Sequence, residues 1–130
     1  MDHVDFDPSI ALNQMSRKDA LHLASLLIDD LRRNQFLLAS SLASGDQPTA
    51  ARAAHSLGNI TANAGCESVC MLAADLELQI RKGQREDAAE PAERLRHEVS
   101  ALIATLEAWR REATASADAD ALDRAGRAHA

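Results

Sequence analysis

The sequence predicts an all-α protein, an up-down four-helix bundle with a short extra N-terminal helix. Three observations predict it. Apolar residues recur at alternating steps of three and four, the period of helix faces that pack into a bundle. Glycines stand at 45, 65 and 83, where the apolar stripes end. Hydrophobic residues make up 46% of the 130 residues but aromatics only 2%, with no Tyr, while Ala and Leu dominate. That composition favours helices packed through small, unbranched side chains over a β-sandwich, which needs aromatic and β-branched residues. No stretch shows strand alternation.

The elements follow in order. Residues 1–8 form a loose lead-in, and residues 9–113 form the bundle. Ser9 to Met15 is a short first helix with Pro8 near its start. Ser16 is the N-cap of the next, with Asp19 three residues on imitating a capping box. This long helix runs from Arg17 to about Ser44, and Gly45 stops it. Asp46-Gln47-Pro48 restarts a helix, since Pro suits a first turn; it runs to about Asn63, and Gly65 breaks it. A third runs from Glu67 to about Lys82, ended by Gly83. A fourth begins between Arg85 and Pro91 and reaches about Ala113. Pro91 stands in its first turn or kinks it.

The stripes are specific. Ala50, Ala53, Leu57, Ile60 and Ala64 mark the second long helix. Val69, Leu72, Leu76 and Ile80 mark the third. Ala88, Ala92, Leu95, Val99, Leu102, Leu106, Trp109 and Ala113 mark the fourth. Residues 114–130 are a flexible Ala- and Asp-rich tail, disordered or weakly helical, with Leu122 its only large apolar residue.

Net charge is −6, which argues against sequence-independent nucleic-acid binding and against attachment to anionic membranes. Residues 1–8 are acidic without an apolar h-region, and no run of apolar residues could span a bilayer. A cytoplasmic, monomeric protein is expected. Met1 and the lack of kinase or receiver motifs point to a free-standing domain; excision from a larger sensor kinase remains the other reading. No Gly-rich phosphate loop occurs, so the chain is not expected to bind ATP by itself.

One histidine stands out. If Ala50, Leu57 and Ala64 are a positions, His55 falls at f, farthest from the core. Its helical neighbours at three and four are Ala51, Arg52, Gly58 and Asn59, with Ala62 one turn on. All but Arg52 are small or short, whereas an ordinary solvated face carries Glu, Lys and Gln. Gly58 costs about 1 kcal/mol of helix stability relative to Ala. Such a flat platform lets another protein's backbone approach the imidazole. Neutral imidazole is a competent nucleophile near neutral pH. Phosphoryl transfer needs positioning and charge stabilisation more than covalent chemistry. A histidine on a rigid helix can therefore relay a phosphoryl group if its partner supplies Mg²⁺ and an acidic pocket. The bland alternative is an incidental surface histidine.

Ala54-His55-Ser56-Leu57-Gly58-Asn59, with Gly65 ten residues after the histidine, resembles the histidine-containing phosphotransfer (HPt) domain, whose pattern is Ala-His-x-Leu-Lys-Gly with a glycine at that distance. Leu72-Ala73-Ala74-Asp75-Leu76-Glu77 resembles the Leu-x-x-x-Leu-Glu stretch of its next helix, and Phe36 and Leu42 fit the long helix before the histidine. The resemblance covers roughly residues 9–113. It implies a four-helix bundle in which His55 is phosphorylated and passes the group between receiver-domain aspartates, or takes it through a hybrid sensor kinase. It implies a carrier without kinase activity and without a cofactor. Glu77 falls where many members have a polar residue beside the histidine, and Arg81 where some have a basic one. The family's lysine is Gly58 here and its following glycine is Asn59. That lysine helps neutralise the incoming phosphoryl group, so its loss bears on phosphorylation rate or partner choice. Arg52, three residues before His55, is a candidate replacement.

The remaining candidates carry less. Cys66 and Cys70 lie four apart and read as buried or half-buried thiols rather than a metal site, which would need more ligands. His97, between Leu95 and Val99, should point outward. His22, His3 and His129 show no spacing that suggests a metal or a triad. Asp29, Asp30, Arg32 and Arg33 are a mixed-charge helix face. Two functions compete with a phosphorelay carrier. One is a degenerate HPt-like bundle that binds a receiver domain or sensor kinase without being phosphorylated. The other is a helical adaptor unrelated to phosphotransfer.

Overall fold

The computed structural model describes residues 12–128. Four long helices follow one another: α1, Arg17–Ser44; α2, Gln47–Asn63; α3, Glu67–Arg81; and α4, Arg85–Ala128. No strand occurs among the described residues. The expected helix over Ser9–Met15 begins outside them; within them Leu12 is helical and buried.

The helix ends follow local chemistry. The Ser16 hydroxyl accepts the amide of Asp19 at 3.2 Å, and Asp46 accepts that of Thr49 at 3.3 Å, so two starts carry side-chain caps. Pro48 sits in the first turn of α2, where its missing N–H costs nothing. Gly45, Gly65 and Gly83 take φ of 77°, 83° and 73°, the left-handed conformation in which a Cβ is penalised. Pro91 falls in the second turn of α4, inside the helix rather than in its first turn. It leaves the carbonyl of Asp87 without a main-chain donor.

Short connections make neighbours antiparallel. Along α1 and α4 the register descends: Gln35 reaches Ser100 at 2.9 Å, Arg32 reaches Glu107 at 2.8 Å, and Arg17 reaches Asp120 at 2.9 Å. Between α2 and α3, Gln47 Nε2 donates to the carbonyls of Ile80 and Arg81 at 2.7 and 3.1 Å. Each helix packs on two others, α1 and α3 on both α2 and α4. The predicted stripes meet inside, where Leu57, Val69, Leu76, Leu95, Val99, Leu102 and Leu106 are buried, and α1 adds Ile28 and Leu31. Ile60, Ala64, Leu72, Ala92 and Trp109 lie partly buried against them. Thr61 is also buried; its hydroxyl donates to the carbonyls of Leu57 and Gly58 at 2.8 and 3.1 Å.

One boundary differs from expectation. The fourth helix does not stop near Ala113; it continues to Ala128. Alanine is the strongest helix former, and the segment 114–128 is rich in it. Arg17 at the start of α1 ties it down through Asp120 and, at 3.4 Å, the Ser116 hydroxyl. Apolar periodicity falls silent there because the helix has almost nothing left to pack against. No helix among the described residues is long and apolar enough to cross a membrane.

Candidate functional site

His55 lies on α2 with its side chain 58% exposed. Its ring leans across to α3, where Nδ1 lies 2.9 Å from Glu77 Oε1. Glu77 is mostly buried, and its second oxygen accepts from Arg81 Nε at 2.8 Å. One carboxylate thus joins the histidine to a guanidinium one turn along α3. Burial pushes the Glu77 carboxyl up, but hydrogen bonds from Arg81 and His55, with their charges, outweigh it and hold it below the ordinary value. An ionised carboxylate only accepts, so in neutral His55 the proton sits on Nδ1 and the lone pair on Nε2. The nitrogen that keeps an open lone pair is the one that Glu77 does not occupy.

The small residues around His55 divide between two jobs. Asn59 and Ala62 are exposed beside it, as spacing predicts. Ala51 and Gly58 are not part of an open platform: both are buried. A Cβ on Gly58 would stand 3.6 Å from Ala73 Cβ and 3.9 Å from the carbonyl oxygen of Cys70, so Gly58 faces α3. The f-position argument located the outward side of α2, but α3 packs close enough to cover one edge of it. Gly65 ends the helix ten residues past His55, and nothing lies within 4 Å of where its Cβ would be. Its role is the turn, through its positive φ.

Arg52 is exposed, and its guanidinium turns back along α2 to Thr49 Oγ1 at 3.4 Å. It also adds to the field that, after the side-chain and amide hydrogen bonds of Thr49, holds Asp46 below its ordinary value. The cation in the His55 network is therefore Arg81.

Sequence reasoning passed over a row on α3. Met71, Ala74, Leu78 and Arg81, at steps of three and four, are all exposed and run beside Glu77. Met71 is 60% and Leu78 53% exposed. The available signal was that these apolar side chains stand off the Val69, Leu72, Leu76 and Ile80 stripe. Elsewhere, Cys66 is buried and Cys70 half-buried, and His22 and His97 lie on the surface. His3 and His129 lie outside the described residues. No three His, Cys, Asp or Glu side chains among the described residues gather as metal ligands.

A four-helix bundle with an outward histidine held from behind by a carboxylate of the next helix has the architecture of a phosphoryl-carrier module. The family comparison agrees: residues 22–109 match the Hpt domain model, and the chain belongs to the Hpt domain family. The match is narrower than residues 9–113 and leaves out the far half of α4. The family performs phosphotransfer in two-component signalling, as carrier modules that interact with receiver domains and kinases. Comparison with curated proteins and with solved structures finds no match.

Proposed function

We propose that the protein is a phosphorelay intermediate that carries a phosphoryl group on Nε2 of His55. The observation that carries this reading is the Nδ1 contact with Glu77, which leaves Nε2 as the open nucleophile on an exposed helix face. The donor is a receiver-domain aspartyl phosphate or a hybrid sensor kinase. The Nε2 lone pair attacks phosphorus in line, and the P–O bond breaks with its electron pair leaving on the aspartate. The Nδ1 proton stays in place, and Glu77 stabilises the positive charge that develops on the ring. Transfer onward is the reverse. The partner brings Mg²⁺ and the acidic pocket, so the chain acts as a carrier, not a kinase. The apolar row of Met71, Ala74 and Leu78 beside the site is where the partner lies against α3. A monomer in the cytoplasm fits these encounters.

The test is phosphoryl uptake from a phosphorylated receiver domain. The expected label is acid-labile and base-stable, and disappears in His55→Gln. Binding without label favours the second reading, a bundle that docks on a receiver or kinase without being phosphorylated. The burial of Gly58 where the family pattern has lysine is the observation on that side.

A further inference from the structure

The Glu77 contact fixes more than the tautomer. The two ring nitrogens of an imidazole point to opposite sides of the ring, so Nδ1 against α3 turns Nε2 away from α3. The side chain that stands on that side of His55 is Asn59. Gly58 faces α3. One residue further on, the helix has turned by about 100°, which carries Asn59 past His55 and away from α3. Asn59 also stands one turn after His55 on the same face. Helical side chains lean toward the N-terminus of their own helix, so Asn59 leans over the histidine. Arg52, one turn before, leans away, and its guanidinium is engaged with Thr49. Ala62 on α2 and Met71, Ala74 and Leu78 on α3 bring no polar side chain.

The Asn59 side chain is exposed, and its amide makes no hydrogen bond to another described residue, the carbonyl of His55 one turn back included. Asparagine is a poor helix former, and here it follows Gly58 in mid-helix. A plain solvated face is better served by Lys, Glu or Gln. We propose that Asn59 binds the phosphoryl group carried on Nε2 of His55, donating a side-chain N–H to one of its oxygens. The inference rests on the phosphoryl-carrier reading. A carboxamide is neutral, so it orients the group without neutralising it. It reaches the group from the flank of the N–P bond, and the far side of phosphorus stays open to the partner's aspartate.

Phosphoramidate, a small-molecule donor to histidine, separates this inference from partner recognition. When the wild type is loaded with it, the side-chain amide protons of Asn59 should move downfield in ¹H–¹⁵N NMR and return as the phosphoryl group hydrolyses. Asn59→Ala improves helix propensity, so slower uptake in that variant is not a loss of fold. Its uptake from phosphoramidate should slow about tenfold, the low end for hydrogen bonds to charged groups. Asn59→Asp sets a like charge beside the phosphoryl group and should slow further. Asn59→Gln keeps the donor and should recover part of the rate. An Asn59 amide that stays put on loading, or uptake in Asn59→Ala as fast as in wild type or faster, overturns the inference while the carrier reading stands. Failure of both phosphoramidate and a phosphorylated receiver domain to label His55 overturns the carrier reading and this inference together.

Discussion

His55 and Glu77 sit on different helices, 22 residues apart in sequence, yet Nδ1 of one lies 2.9 Å from Oε1 of the other. The contact decides which ring nitrogen is available, because the same carboxylate that accepts from Nδ1 cannot reach Nε2.

Glu77 should therefore act by holding the tautomer. Glu77→Leu leaves Nδ1 without an acceptor and lets the proton move to Nε2. Phosphoryl uptake should fall about tenfold, the size of one charge-assisted hydrogen bond. Glu77→Gln keeps an acceptor oxygen and should lose less. ¹⁵N NMR of the imidazole checks the cause: the wild type and Glu77→Gln should show the proton on Nδ1, and Glu77→Leu a mixture.

The same carboxylate makes a pH prediction. Its folded value is depressed, so its contribution to stability is fully present above the ordinary glutamate value of 4.5 and is lost as pH falls through the folded value. A carboxyl ¹³C titration of Glu77 should have its midpoint below 4.5. In Arg81→Gln the midpoint should move up, because one hydrogen bond is lost while the upward push of burial remains.

Gly58 is a packing residue with room to spare. A methyl group there meets Ala73 and Cys70 at ordinary contact distances of 3.6 and 3.9 Å. Gly58→Ala should raise stability by about 0.5–1 kcal/mol through helix propensity alone. Gly58→Leu must push α3 aside and should cost about 1–3 kcal/mol. Thermal melts of the two variants should move in opposite directions.

The far half of α4 should be nearly dispensable for the bundle. Ending the chain at Ala113 removes Ser116 and Asp120, the partners of Arg17, but keeps Leu95, Val99, Leu102 and Leu106. Exposed ion pairs contribute less than about 1 kcal/mol. The melting temperature should barely change, while the circular dichroism loses helical signal. A large drop in melting temperature would show that this segment belongs to the folding unit.

Several of these features were legible in order of how local their causes are. Ser16 and Asp46 cap the helices they precede, and Gly45, Gly65 and Gly83 end them, because each acts on its own few residues of backbone. The stripes through Leu57, Leu76 and Leu102 could be read because helical spacing alone sorts inward from outward. Two errors share the opposite cause. Alanine-rich sequence past Ala113 has no stripe to count, and its helicity gains support from Arg17, about a hundred residues away. Gly58 looked exposed because spacing along α2 says nothing about how closely α3 approaches.

The sequence by itself determined four helices, all of their ends but the last, and the outward position of His55, since propensity, capping and period operate within a single turn or two. Tertiary structure decided what surrounds that histidine. The antiparallel register of α2 and α3 brings Glu77 to Nδ1, turns Arg81 toward the site and Arg52 away from it, and closes α3 over Gly58. Those are distances between helices, and no spacing within one helix encodes them.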